Sequence, residues 1–174
     1  MNFADHRFMK IAGPIINHKE FQKMKHIKHH DESVFDHVMS VSYKSYRIAY
    51  KIGLDWEATI RGALLHDFYL YKFDKTIRLR LPIDAIRHAI MHPVKAFENA
   101  SEHFILNEME RDIIIRHMFP VRIPRYKESW IVSMVDKYLA VQEYYQNFRK
   151  TTSRKYRENY NALRFDEVQY NEAN

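Results

Sequence analysis

Three glycines and five prolines are all that 174 residues offer to break a helix, and they fall between stretches whose apolar side chains recur at helical intervals. A chain so poor in breakers reads as all-α. With 46% hydrophobic residues it is long enough to bury one core and too short for two domains of ordinary size, so a single domain over 1–174 is expected. It shows no internal repeat and no low-complexity segment. No uncharged apolar run approaches the roughly 18 to 20 residues that cross a bilayer, and the run 11–16 lacks the flanks of a signal peptide. A cytoplasmic protein without a membrane partner is the expectation, and the absence of cysteine suits a reducing compartment while removing disulfides and thiolate metal sites together. The net charge of +6, with a pI near 9.4, draws anions to the surface: phosphate esters, nucleotides, nucleic acid or acidic lipid. Nothing in the sequence speaks to oligomeric state.

Along the chain, 17–29 reads as an outer amphipathic helix with Phe21, Met24 and Ile27 inward and its histidines toward solvent. Ser33 is positioned to cap a long helix carrying Val34, Val38, Val41, Ile48 and Ile52, which Gly53 ends. His37 borders that stripe. Asp55 caps the next helix, with Ile60, Ala63 and Leu64, which arrives at His66 and Asp67. An irregular aromatic wall follows through Phe68, Tyr69, Tyr71 and Phe73, with Lys72 and Lys75 among them, and 77–82 is extended or a loop. A short helix is expected at 83–90, then a break, with His92 capping a new helix that has Pro93 at its first position. Asn107 and Glu110 form a capping-box pattern for the helix that brings His117 near its end, Pro120 and Pro124 make a loop, and 129–148 is a densely apolar helix carrying Asp136. From Arg149 the text turns polar and basic, a surface helix or a frayed tail.

Taken singly, a histidine beside an apolar stripe is more often a hydrogen-bonded core residue than a ligand. The combination of His37, His66, Asp67, His92, His117 and Asp136 differs. An ionised aspartate amid an apolar helix is expensive unless a cation or hydrogen bonds satisfy it, and the same core has to take in several imidazoles. A metal resolves these demands together. Without thiolate, only imidazole and carboxylate remain to bind it, and six such groups suffice for two ions with open positions.

The order of His37, then His66-Asp67, then Asp136, each on a separate helix, resembles the HD-domain superfamily of metal-dependent phosphohydrolases. His92 and His117 between them match its dinuclear subset, with the pattern H, HD, H, H, D. The text SVFDHVMSVSYKSYRIAYKIGLDWEATIRGALLHDF is similar to the first two core helices of that superfamily, and HPVKAFENA, IIIRHMFP and ESWIVSMVDKY sit where its later ligands fall. The resemblance covers roughly 30–145 and leaves 149–174 as a peripheral basic tail. It implies a single-domain HD-type helical bundle with additional peripheral helices.

Carried over by position, the resemblance implies that His37, His66, Asp67 and Asp136 hold one ion. Asp67, the candidate catalytic residue, bridges to a second ion held by His92 and His117. It further implies two divalent transition-metal ions and a hydroxide between them that attacks phosphorus; with nitrogen and oxygen ligands only, iron or manganese is expected before zinc, cobalt or nickel. HD-GYP cyclic-dinucleotide phosphodiesterases carry HDIGK, a lysine three residues after the aspartate. Here the text is HDFYLYK and Lys72 comes five after, which turns the reading from cyclic-di-GMP toward a nucleotide or dinucleoside polyphosphate, the substrate class of the HD-type diadenosine tetraphosphate hydrolases. Lys72, Arg122 and Arg125, in loops directly after ligand-bearing helices, are the candidates for phosphate contacts. His29 and His30 stay outside the ligand set.

Two other readings compete. Some HD-domain proteins are diiron oxygenases, and the same six ligands suit that chemistry; the basic charge tilts the balance to phosphate. The interleaved arginine, lysine and tyrosine of 149–157 also suit a non-catalytic nucleic-acid-binding or regulatory module, a partner class less favoured than a small phosphorylated substrate.

Overall fold

The structure, a computed structural model, describes residues 5–29, 32–68 and 82–172. The aromatic stretch from Tyr69 to Phe73, Lys72 within it, the segment 77–81 and His30 lie outside the described residues. The described chain is all-α apart from one two-residue ladder.

Helix α1 (His6–Ile16) starts where the Asp5 carboxylate accepts the amides of Arg7 and Phe8, and it buries Phe8, Ala12, Ile15 and Ile16 at helical spacing. This element goes beyond those expected from sequence, and it continues through Gly13-Pro14. Pro14 withdraws one hydrogen bond, to the carbonyl of the exposed Lys10. The expected single helix over 17–29 is instead α2 (Lys19–Gln22), a 3₁₀ turn (Lys23–His26) and strand β1 (Lys28–His29), which pairs antiparallel with β2 (Glu32–Ser33). No side chain caps α2. Phe21 and Met24 are buried as their spacing demands. His18 does not face solvent: it packs against Phe104 at 4.9 Å between ring centroids.

Helix α3 (Val34–Lys51) opens on a capping box between Ser33 and Asp36. It closes on Gly53, at φ 73°, where the amides of Leu54 and Gly53 reach back to the carbonyls of Ala49 and Tyr50. Helix α4 (Trp56–Leu65) is capped by Asp55, whose own amide donates to Glu128. It packs against α1, α3, α5 (Pro82–His103) and α6 (Glu108–Arg116), and so lies at the centre of the core. Its contact with α6 is as close as side chains permit: a Cβ placed on Gly62 would meet Ile113 Cδ1 at 2.7 Å and Cβ at 2.9 Å.

The break expected before Pro93 does not occur, and α5 runs through it. Proline removes one hydrogen bond, to the carbonyl of residue 89, a change worth about 3 kcal/mol in a helix interior. The buried row of Ala89, Ala96 and Ala100, continuous across the site, holds both halves to one axis. Helix α6 begins with the anticipated Asn107/Glu110 box, and the buried Glu110 also takes Arg61 Nε at 2.6 Å. Helix α7 (Lys127–Glu172) extends the expected 129–148 at both ends. Its buried residues near the start are Glu128, Ser129, Val132, Ser133 and Val135, whereas Met134 and Tyr138, apolar residues of the same stretch, are 54% and 61% exposed. Two compact units divide the chain, Met1–Asp136 and Lys137–Asn174, and the helices α1 to α6 belong to the first. No helix among the described residues is long and apolar enough to cross a membrane.

Candidate metal centre

Two helices end the same way. His66 follows α4 and His117 follows α6, and each ring Nδ1 lies within hydrogen-bond distance of the carbonyl three residues back, Ala63 at 2.7 Å and Ile114 at 2.8 Å. A carbonyl only accepts, so Nδ1–H is the donor and Nε2 keeps a lone pair. Both rings are thereby locked, 4.9 Å apart and near perpendicular. That separation follows from the α4–α6 contact at Gly62. Ser133 adds a further tie by donating its hydroxyl to the carbonyl of His117.

The carboxylate of Asp67 lies among the imidazoles. Its Oδ1 is 2.6 Å from His92 Nε2, 3.5 Å from His117 Nε2 and 3.6 Å from His66 Nε2. Asp136, on α7, sets its Oδ1 3.0 Å from His37 Nε2 on α3 and 3.7 Å from His66 Nε2. Thus the lone aspartate of the apolar helix has its partner, and all six residues singled out in the sequence converge although they arise from five helical segments. Helix α5 supplies His92 and, seven residues on along the same face, Asn99, whose amide holds the carbonyl of Phe68 next to Asp67. Sequence reasoning missed Asn99 and Ser133. Only Ser133 had a legible signal, three residues before Asp136 on one helical face.

The ligand atoms fall into two groups, His37, His66 and Asp67, and Asp67, His92 and His117, each with all its atoms within 4.8 Å of one another. Asp67 belongs to both. A direct test of fit is His66 Nε2, a buried atom without a hydrogen-bond partner. It is a lone pair facing two carboxylate oxygens, an arrangement of acceptors that repels unless a cation or a proton sits among them. The groups are those that bind divalent transition metals, so the residues present fit a metal.

The electrostatics say the same. Burial opposes a charge on His66, but the Asp67 and Asp136 carboxylates outweigh it and push its pKa up to about 9. Burial and the neighbouring positive His66 push His117 down to about 4. Burial would raise the pKa of Asp67, yet His66, His92 and His117 hold its carboxyl well below the usual range. Asp136 is likewise buried and held low, through its contacts with His37 and His66. Without a metal the cluster therefore stores a proton on His66, where a cation would otherwise sit.

Of the candidate phosphate contacts, Arg122 and Arg125 lie elsewhere in the unit, and Lys72 is outside the described residues. Arg122 is half-buried and Arg125 exposed, in a cleft of about 280 Å³ that none of the six cluster residues lines.

The HD domain family matches the chain over residues 34–141, which span α3, the His66-Asp67 pair, α5, α6 and the Asp136 segment of α7. The chain belongs to the HD domain family. A search of curated proteins and a search of solved structures each found no match.

Proposed function

We propose that this chain is a metal-dependent phosphohydrolase acting on a small phosphorylated metabolite, a nucleotide or dinucleoside polyphosphate, with two divalent ions of iron or manganese. The observation that carries this reading is the shared Asp67: one carboxylate oxygen stands at the junction of two ligand groups inside a family fold. His37, His66 and Asp136 would complete one position, His92 and His117 the other. Divalent ions bound there supply an acidified water and charge neutralisation for the phosphoryl oxygens.

The chain's own residues do the rest. The Ala63 and Ile114 carbonyls keep the Nε2 lone pairs of His66 and His117 turned inward, so no rotamer search precedes metal entry. Asp67 and Asp136 bring two negative charges against the four of two divalent ions, which leaves a net positive centre suited to a phosphate. Leu65 and Phe68, both fully buried, flank the His66-Asp67 pair and exclude water from beneath it. Lys72 remains a candidate phosphate contact by its position after Asp67.

The test is phosphate release from a panel of nucleotides and dinucleoside polyphosphates by metal-loaded protein under argon, with and without chelator. Chelator-sensitive phosphate release supports the proposal. Oxygen uptake on an organic substrate with a mixed-valence paramagnetic signal would assign the oxygenase chemistry instead. Salt-sensitive nucleic-acid binding by a chain that takes up no metal would assign a binding module.

A further inference from the structure

The cleft that holds Arg122 and Arg125 has the composition of an anion site. One wall is a face of α6, Glu108, Arg111, Asp112, Ile115 and Arg116, spaced i, i+3, i+4, i+7, i+8; the other is the loop from Arg122 to Tyr126. Four arginines meet two acids there, a surplus of two positive charges. One of those acids is already committed. Asp112 is buried at 6% exposure, takes Arg116 Nε at 2.8 Å through one oxygen and the amide of Arg125 at 2.9 Å through the other. Arg116 in turn donates to the carbonyl of Ile123 at 2.9 Å. Asp112 and Arg116 are thus the fasteners that pin the loop to α6, and they set the walls of the cleft.

The other arginines of the lining are Arg122 and Arg125, which make no ion pair among the described residues, and Arg111, whose guanidinium lies 5.3 Å over the Phe97 ring and whose contact with the exposed Glu108 is a loose 3.8 Å. An exposed pair of that length contributes little and yields readily to a better acceptor. Three arginines lining about 280 Å³, just below the ~300 to 1,000 Å³ of drug-sized ligand pockets, suit a small, doubly charged oxyanion whose oxygens accept paired N–H donors. The geometry points to a phosphate-binding cleft between α6 and the 122–126 loop, separate from the metal cluster, for a phosphate dianion, free or as the terminal group of a phosphorylated metabolite. It does not depend on the proposed phosphohydrolase activity. Its placement gives it a consequence, because the loop it would clamp connects the helix ending in His117 to the helix bearing Asp136.

The test is calorimetric titration of the full-length, metal-loaded protein with orthophosphate at low ionic strength, followed in parallel by amide shifts of the zinc-loaded, ¹⁵N-labelled chain. Saturable binding is expected, weakened at least tenfold in the Arg122→Gln/Arg125→Gln double variant with its metal content unchanged. The shifts should gather at residues 108–112 and 122–126. A double variant that binds orthophosphate as the native chain does overturns the inference, as do shifts confined to residues around the metal cluster or an absence of binding. The shift measurement uses the native chain, so it decides even if the double variant folds poorly. Replacing orthophosphate by adenosine monophosphate separates the two sources of the group: equal affinities indicate free phosphate, and tighter nucleotide binding with an added shift at Tyr126 indicates a phosphorylated metabolite.

Discussion

The two ligand groups share Asp67 and the same histidine device, yet they differ in charge. His66 has two carboxylates in contact, Asp67 at 3.6 Å and Asp136 at 3.7 Å; His117 has only Asp67 in contact, at 3.5 Å, and feels its positive neighbour His66 more than either carboxylate. The outcome is one imidazole pushed up to about 9 and its counterpart pushed down to about 4, with near-identical local backbone geometry. Local structure thus aims the lone pairs, and how many carboxylates come into contact with each ring decides how strongly each position calls for a cation. The first position, with Asp136, should fill first and hold tighter.

Removing the shared carboxylate gives the largest effect. Asp67→Ala should abolish the distinction between the positions, taking metal content below one per chain and hydrolysis down by on the order of a thousandfold, the upper end of what one charge-stabilising group supplies. Metal analysis beside the phosphate-release assay checks this, and a variant that keeps a full metal complement would break the comparison.

A smaller effect separates the two histidines by pH. In the metal-free chain His66 is raised above the 6.5 of a free imidazole, so its contribution to stability is complete below pH 6.5 and is lost as pH rises through about 9. For His117 the sign reverses: its folded pKa is about 4, the unfolded ring binds the proton more readily, and stability drops as pH falls from 6.5 toward 4. Asp67 and Asp136, held low, lose their contributions in stronger acid. The unfolding free energy of the metal-free protein, read from urea titrations, should therefore peak near pH 6.5 and fall on both sides, by a few kcal/mol at the extremes. A profile flat from pH 5 to 9 would contradict the charge assignment.

The smallest effect concerns the spacing that both positions share. Gly62→Ala drives a methyl into the β-branched Ile113, which has no flexible end to move away, and about 1 to 3 kcal/mol of stability should be lost. Because α4 and α6 carry His66 and His117, metal affinity should fall with it. Thermal unfolding with and without metal reads both.

Much of this was legible in the chain. Ser33, Asp55 and Asn107 announced their helices because a cap is a local contact between neighbours in sequence. His37 and Asp136 could be placed facing inward from periodicity alone. What escaped was decided by tertiary contacts. Pro93 read as the start of a new helix but lies within a continuous one, whose buried alanine face runs across it. His18 found a ring to pack on rather than solvent, and the start of α7 buries small serines while exposing Met134, since close approach there suits small side chains. Arg122 and Arg125 were singled out for phosphate because their loop follows a ligand-bearing helix, but sequence could not tell which side of α6 that loop would follow.

The central claim is that one carboxylate, Asp67, joins two cation positions, and metal stoichiometry tests it most directly. Elemental analysis of saturated, desalted protein should give two ions per native chain and one in both His92→Ala and His117→Ala. Two ions retained in either variant, or never more than one in the native chain, would contradict the account.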